Sequence, residues 1–215
     1  MKKYQNKYFS ILGDSISTLF GYTPPIDNCF YTYQTMIEIG LSGYKDTWWG
    51  RVIESLGGTL LVNNSIGGSL VAKQPESIIE VCACSDYRTG KLNRDEISPD
   101  VIMIYMGTND CGWRVKLEGA REDVSCFRGA YGTMLEKLKR NYPKAEIWCL
   151  TLCRREGIDG GYMKPYCDII GDCAKEYGCK LIDLYNLPRH YESMDGLHPN
   201  AEGMKTIAEG VLELV

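Results

Sequence analysis

The sequence predicts an α/β fold, a three-layer α/β/α sandwich around a five-stranded parallel sheet. Five apolar runs rich in β-branched residues predict strands at residues 7–15, 59–65, 100–107, 145–152 and 179–185. Most of these runs are continuous rather than alternating, which is typical of parallel strands covered on both faces. Amphipathic helical patterns separate the strands, at residues 46–58, 126–143, 163–178 and 200–215. The alternation of the two kinds of segment indicates a doubly wound arrangement.

The helical segments carry recognisable start and stop signals. Asp46 or Thr47 caps the first helix, and the Gly57-Gly58 pair ends it. The second helix places its apolar residues on one stripe and ends before Pro143, since the residue before a proline disfavours helical geometry.

The chain reads as one domain over residues 1–215, because its length suits a single core and it contains no repeat or long linker. Two segments interrupt the alternation, at about residues 20–45 and 72–99. They follow the first and second strands, and ligands of open α/β sheets bind beyond the carboxyl ends of strands. We therefore interpret both as insertions that shape a pocket.

Composition excludes several partners. The net charge is −4 and the pI is near 5.3, whereas nucleic-acid binding needs a basic face. No run approaches the 18 or more apolar residues of a membrane span, so we expect no membrane partner. Polar residues follow Met1-Lys2-Lys3, so we expect no signal peptide and a cytoplasmic protein, although a removed leader would leave the same sequence. The composition indicates no particular oligomeric state.

The ten cysteines are scattered singly, except for Cys82 and Cys84. Zinc sites favour Cys-x2–4-Cys pairs with further Cys or His ligands, and the chain has two histidines in all. We interpret the cysteines as reduced, buried apolar residues. A metal-binding or redox role for Cys82 and Cys84 is the alternative.

Ser15 lies where the first predicted strand ends, directly after a glycine that permits a sharp turn. Backbone N–H groups at the following helical turn would stabilise negative charge on an acyl oxygen nearby. The same position also suits a helix N-cap serine, so Ser15 needs partners before it can be read as a nucleophile.

A serine nucleophile needs a base, and the chain offers His190 and His198. His198 lies in the Gly- and Pro-containing segment "MDGLHPNAEG", just before the last helix, and Asp195 precedes it by three residues. That spacing allows the carboxylate to orient the imidazole and stabilise the imidazolium. His190 has no such companion and is interpreted as a surface or packing residue.

Two further polar elements follow neighbouring strands. Asn109, after the third strand, offers an amide donor of the type that stabilises an oxyanion. Gly68, after the second strand, offers an unobstructed backbone N–H. An Asn-Asp turn and a Gly-Gly turn explain each feature equally well in isolation. The occurrence of all these elements at one predicted sheet edge favours a shared site.

In this order, the motifs resemble those of the SGNH, or GDSL-type, hydrolases, a family of esterases and lipases. The matching motifs, which extend over nearly the whole chain, are "GDS" at 13–15, "NNSIGG" at 63–68, "GTND" at 107–110 and "DGLHP" at 195–199. The resemblance implies a flavodoxin-like α/β/α sandwich. It further implies Ser15 as nucleophile, His198 as base and Asp195 as the orienting carboxylate.

The resemblance also implies an oxyanion hole made by the backbone N–H groups of Ser15 and Gly68 and the side chain of Asn109. Gly68 is preferred to Gly67 because the family usually places its glycine at the end of that motif. Asp14 is interpreted as a structural hydrogen-bonding residue of the turn. The implied acyl transfer uses a small-molecule ester as substrate and requires no metal or cofactor.

The sequence says less about the substrate. Aromatic residues of the first insertion and Trp113 suit a sugar ring or an acyl chain, and Trp113 is the candidate substrate-binding residue. Trp48 and Trp49 belong to a helix that must pack on the sheet, and we expect at least one of them in the core. No long apolar lid is evident, so we expect a small ester, such as an acylated carbohydrate.

Two other functions remain open. A metal-dependent phosphoesterase also places Asp, Asn and His motifs at strand ends, but such sites generally need more histidines than this chain has. A catalytically silent carbohydrate-binding protein on the same fold is the second alternative.

Overall fold

The computed structural model of the protein describes residues 3–24, 29–74, 81–157 and 160–215. The strands in this part of the chain are β1 (Tyr8–Gly13), β2 (Thr59–Ser65), β3 (Val101–Tyr105), β4 (Glu146–Leu150), β5 (Arg154–Arg155), β6 (Lys180–Ile182) and β7 (His190–Tyr191). The α-helices are α1 (Tyr33–Glu38), α2 (Trp48–Leu56), α3 (Asp86–Thr89), α4 (Thr108–Gly112), α5 (Phe127–Asn141), α6 (Lys164–Glu176) and α7 (Ala201–Leu214).

The main sheet confirms the predicted fold class. It has five strands in the order β2-β1-β3-β4-β6, and every neighbouring pair is parallel. Helix α2 packs on α7, and α5 packs on α6. The chain runs from β1 to β2 in one direction along the sheet and from β3 to β4 and β6 in the other. Right-handed crossovers therefore place the two helix pairs on opposite faces, which gives the three layers.

The helix boundaries follow the signals in the sequence. The Thr47 hydroxyl caps α2 by accepting a hydrogen bond from the backbone N–H of Gly50, at 3.0 Å. Gly57 ends the same helix in the left-handed conformation, with a φ of 77°. Helix α5 ends at Asn141, two residues before Pro143.

The carboxyl end of β1 is the point where the winding of the sheet reverses. Gly13, the last residue of β1, is level with Ser65 on β2 and with Tyr105 on β3. The segments that leave these three strands therefore begin side by side. A Cβ atom at Gly13 would lie 2.6 Å from the Cβ of Ser17 and 2.7 Å from the Oγ of Ser65, so the tight turn after β1 requires glycine.

Two tryptophans of α2 hold this turn by hydrogen bonds to Ser17. Trp48 and Trp49 are fully buried, as expected for at least one of them. The indole N–H of Trp48 donates to Ser17 Oγ and that of Trp49 donates to the Ser17 carbonyl oxygen, each at 3.1 Å. Helix α2 therefore fixes the chain just beyond Ser15.

The two predicted insertions contain short regular elements that the sequence pattern did not indicate. Helix α1 lies in the first insertion and α3 in the second, while residues 25–28 and 75–80 of these segments lie outside the described residues. Strands β5 and β7 form a separate parallel pair, also unpredicted. Within the described ranges, no helix is long and apolar enough to cross a membrane.

Arg88, on α3, is a buried cation that binds the ends of two strands together. Its guanidinium donates to the carbonyl oxygens of Gly13 at 2.8 Å, Asn64 at 2.9 Å and Val81 at 2.6 Å. Its side chain is fully buried. The second insertion thus braces the sheet edge from which the turn at Ser15 leaves.

We predict that Arg88→Met lowers the free energy of unfolding by about 3 kcal/mol, because it leaves buried carbonyl oxygens without their charged donor. Urea unfolding followed by tryptophan fluorescence measures this loss. The matched control is Arg94→Met, at an exposed position, which should change stability by less than about 0.5 kcal/mol. Equal stability of the two variants would contradict the bracing role.

Candidate active site

Ser15 lies at the start of a one-turn 3-10 helix (Ser15–Ser17) that follows β1. The carboxylate of Asp14 caps this turn by accepting a hydrogen bond from the backbone N–H of Ile16, at 3.0 Å. Ser15 is 7% exposed, so its hydroxyl sits in the floor of a surface depression. The capping role falls to Asp14, in agreement with its interpretation as a structural residue, and leaves the hydroxyl of Ser15 available.

The loop before α7 brings a histidine to that hydroxyl. His198 Nε2 lies 2.8 Å from Ser15 Oγ, and His198 Nδ1 lies 2.7 Å from Asp195 Oδ2. The other carboxylate oxygen of Asp195 accepts the backbone N–H groups of Leu197 at 2.9 Å and His198 at 2.7 Å. Gly196 allows the tight turn with a φ of 84°. The structure thus brings together three residues that the sequence singled out separately.

The electrostatics of the loop favour a neutral imidazole facing an ionised carboxylate. Burial lowers the pKa of His198; the Asp195 carboxylate opposes this effect, and the Arg155 cation adds to it. Burial alone would raise the pKa of Asp195, but hydrogen bonds from His198 and Leu197 hold it below its usual value. A neutral imidazole can accept the proton of Ser15, so this arrangement suits a general base.

The small β5/β7 sheet holds the same loop by hydrogen bonds to two of its carbonyl oxygens. Arg155 and Tyr191 are register partners in this sheet. Arg155 donates to the Gly196 carbonyl oxygen at 2.8 Å, and Tyr191 Oη donates to the Leu197 carbonyl oxygen at 2.6 Å. The sequence analysis missed both residues. Arg155 contacts a residue 41 positions away in the chain, and Tyr191 lies on a strand that was not predicted.

The predicted oxyanion donors lie at the same sheet edge. Asn109 is in the first turn of α4, and its side-chain amide donates to the Ser69 carbonyl oxygen at 2.9 Å, which orients it. Gly67 and Gly68 line the same cavity as Ser15, and Gly68 has a φ of 74° that favours glycine. Groups that follow three strand ends therefore line the cavity that contains Ser15.

These residues open onto a cavity of about 420 Å³. It is lined by Ser15, Cys29, Phe30, Gly67, Gly68, Asn109, Leu197 and His198. Cys29 and Phe30 belong to the first insertion, which was expected to shape a pocket. No local signal distinguished Phe30 from the other aromatic residues of that insertion.

Trp113, the candidate substrate-binding residue, is not part of this lining. It follows α4 one turn beyond Asn109, and it is 67% exposed. Any contact with a substrate would involve a portion that extends outside the cavity.

The remaining candidate residues lie elsewhere. Cys82 and Cys84 are both buried, and burial raises the pKa of the Cys84 thiol to about 12, so this thiol stays protonated. His190 is exposed on β7. Among the described residues, no group of three or more His, Cys, Asp and Glu side chains is arranged to hold a metal ion.

Comparison with known proteins identifies the family. The profile of the GDSL-like lipase/acylhydrolase family matches residues 7–215. The chain belongs to this family of ester hydrolases. A solved structure described as a GDSL-like lipase from Bacteroides ovatus is 27% identical, covers 97% of each chain and superposes with a TM-score of 0.77.

Two carbohydrate-active relatives are more distant. A variant of an acetyl-xylooligosaccharide esterase from Geobacillus is 19% identical, covers 99% of this chain and 95% of its own, and has a TM-score of 0.61, a likeness in fold. The cellulase/esterase CelE of Acetivibrio thermocellus is 22% identical over 182 residues, 79% of this chain. The match spans 20% of the length of CelE.

We predict that kcat/KM for ester hydrolysis rises with pH with a midpoint below about 6.5, the usual pKa of histidine, because the buried His198 must be neutral to act as a base. Arg155→Gln should move this midpoint to higher pH, since it removes a cation that disfavours the imidazolium but retains an amide donor. A pH–rate profile measures the shift.

Arg154→Gln is the matched control for the pH profile. Arg154 is the neighbour of Arg155 on β5, but its guanidinium donates to the Leu187 carbonyl oxygen at 2.6 Å and it is not among the groups that shift the pKa of His198. Its midpoint should equal that of the unaltered protein. A midpoint of kcat/KM that moves to lower pH or does not move in Arg155→Gln would contradict the role of Arg155 in lowering the pKa of His198.

Proposed function

We propose that the protein is a serine esterase that cleaves small carboxylic esters. The observation that carries the proposal is the continuous line of hydrogen bonds from Asp195 through His198 to Ser15, which ends at the floor of an open cavity. A buried serine paired in this way is poised for nucleophilic attack, whereas a purely structural serine cap needs neither the imidazole nor the carboxylate.

The geometry supports a two-step acyl transfer. Ser15 Oγ attacks the ester carbonyl carbon while its proton passes to His198 Nε2, and a tetrahedral oxyanion forms. The bond to the alcohol oxygen then breaks as His198 returns the proton to that oxygen. Water attacks the acyl-enzyme, again with His198 as base, and releases the acid and Ser15.

Asp195 holds the tautomer of His198 that has its proton on Nδ1 and stabilises the imidazolium formed in each step. We assign the oxyanion hole to the backbone N–H groups of Ser15 and Gly68 and to the Asn109 side chain. Donors of this kind stabilise the transition state by roughly 2.7–4 kcal/mol each when they are preorganised. The Asn109–Ser69 hydrogen bond supports such preorganisation. The reaction uses no metal or cofactor at any of these steps.

We predict that Ser15→Ala lowers kcat for p-nitrophenyl acetate by at least about 1000-fold, because the nucleophile is lost. A fluorophosphonate probe should label the unaltered protein at Ser15 and leave the variant unlabelled. Ser17→Ala, in the same turn, is the control and should still be labelled. Activity that survives in Ser15→Ala but disappears with a chelator would instead favour the metal-dependent phosphoesterase. Failure to label the unaltered protein would favour a silent carbohydrate-binding protein.

For the substrate we propose an ester with a short acyl group on a larger alcohol, such as an acetylated carbohydrate. Among the residues that line the cavity, Phe30 and Leu197 are the two large apolar side chains, so the wall offers little apolar surface to a long acyl chain. Two of the relatives are named for carbohydrate esters or polymers. Exposed Trp113, beyond the cavity, offers a flat aromatic face to a sugar unit that extends outward.

We predict that kcat/KM falls at least about tenfold from p-nitrophenyl acetate to the octanoate, because Phe30 and Leu197 are the two large apolar side chains of the cavity lining and cannot cover an eight-carbon chain. Trp113→Ala should raise KM for an acetylated xylooligosaccharide by about fivefold and leave p-nitrophenyl acetate unaffected. Steady-state kinetics on both substrates tests this. A preference for long acyl chains, or equal effects of Trp113→Ala on both substrates, would overturn the substrate proposal.

A further inference from the structure

Residues 29–32 of the first insertion join the nucleophile turn, residues 14–18, to the base loop, residues 195–200, which carries His198. On the nucleophile side, the backbone N–H of Phe30 donates to Thr18 Oγ1 at 3.0 Å, and that hydroxyl donates to the Ser15 carbonyl oxygen at 2.8 Å. The backbone N–H of Phe20 donates to the Tyr31 carbonyl oxygen at 2.9 Å. The segment is therefore held to the chain at and just beyond Ser15.

On the base side, the same segment contacts His198 and the residue after it. The ring of Phe30 stacks on the imidazole of His198, with ring centroids 3.4 Å apart and planes inclined by 13°. Tyr31 is fully buried, and its hydroxyl donates to the Pro199 carbonyl oxygen at 2.8 Å. Two adjacent side chains thus hold the base loop while their backbone holds the nucleophile turn.

The stacking constrains a motion that the hydrogen bonds of His198 leave free. Its two ring nitrogens bind Asp195 and Ser15 at opposite edges, so both bonds persist while the ring rocks about the axis that joins them. A flat ring against one face of the imidazole opposes that rocking. Because proton transfer depends on alignment as well as distance, small angular errors at the base slow the chemical step.

We propose that Phe30 is a positioning residue for His198, and that residues 29–32 act as a brace that sets the Ser15–His198 distance. This inference rests on the proposed esterase function. It gives the first insertion a part in the chemical step in addition to its place in the cavity wall. Phe30 acts through the imidazole, so its loss should slow catalysis more than it weakens substrate binding.

The experiment compares Phe30→Leu, which keeps an apolar side chain but loses the flat face, with Phe30→Tyr, which keeps the ring. For p-nitrophenyl acetate, kcat should fall about tenfold in Phe30→Leu while KM changes by less than about twofold. Phe30→Tyr should restore kcat to within about twofold of the unaltered protein. The rate of fluorophosphonate labelling at Ser15 should follow kcat, since both need an aligned base.

Tyr33→Leu is the matched control, an aromatic-to-leucine change in the same insertion at a position 66% exposed, and it should leave kcat unchanged. Tyr31→Phe removes the hydrogen bond to Pro199 with every ring retained and should lower kcat about threefold. If Phe30→Leu does not fold, the kcat of Tyr31→Phe tests the brace instead. An unchanged kcat in folded Phe30→Leu or, where that variant does not fold, in Tyr31→Phe would overturn the brace, and so would a loss confined to KM. Absence of labelling in the unaltered protein would instead overturn the esterase itself.

Discussion

The contact between Ser15 Oγ and His198 Nε2 is the interaction on which the rest of the site depends, and it joins residues 183 positions apart in the chain. Neither residue can reach the other through local structure. The parallel sheet makes the contact possible, because β1 lies between β2 and β3 and ends level with both, while α7 returns beside α2 on the same face. The fold therefore acts on the chemistry by fixing where separate loops begin.

The nucleophile turn also contains an energetic cost that the surrounding packing must offset. Burial raises the pKa of Asp14 to about 7, and the nearby carboxylate of Asp110 raises it further. Burial also raises the pKa of Asp110, to about 6. One oxygen of Asp14 has no donor at normal hydrogen-bond geometry within the described part of the chain, and the nearby Thr108 side chain offsets only part of the effect of burial. Such a group destabilises the folded state when ionised. The cap it provides for Ser15–Ser17, and the cation of Arg88 nearby, explain why the turn holds its geometry despite this cost.

The sequence was informative wherever the signal is local. Continuous apolar runs predicted the five parallel strands, and Thr47 and Gly57 marked the ends of α2. The Asp195–His198 pair was recognisable because three residues of separation suffice for a carboxylate to reach an imidazole. Phe30 and Arg155 had no such signal, since their positions relative to His198 depend on how distant segments pack. Trp113 shows the converse, because a residue close to Asn109 in the chain is exposed to solvent and lies outside the cavity lining.

The base loop shows how a local motif acquires a global position. Its internal hydrogen bonds, from Asp195 to the backbone and ring of His198, would form in any context that tolerates the turn at Gly196. Its placement comes from three donors on other segments, and each satisfies a different carbonyl oxygen. These donors are Arg155 on β5, Tyr191 on β7 and Tyr31 in the first insertion. Because each donor is anchored in a separate element, a shift of any one element leaves a carbonyl group of the loop unsatisfied. The position of the imidazole is therefore a property of the whole fold, while its hydrogen bond with Asp195 belongs to the local motif.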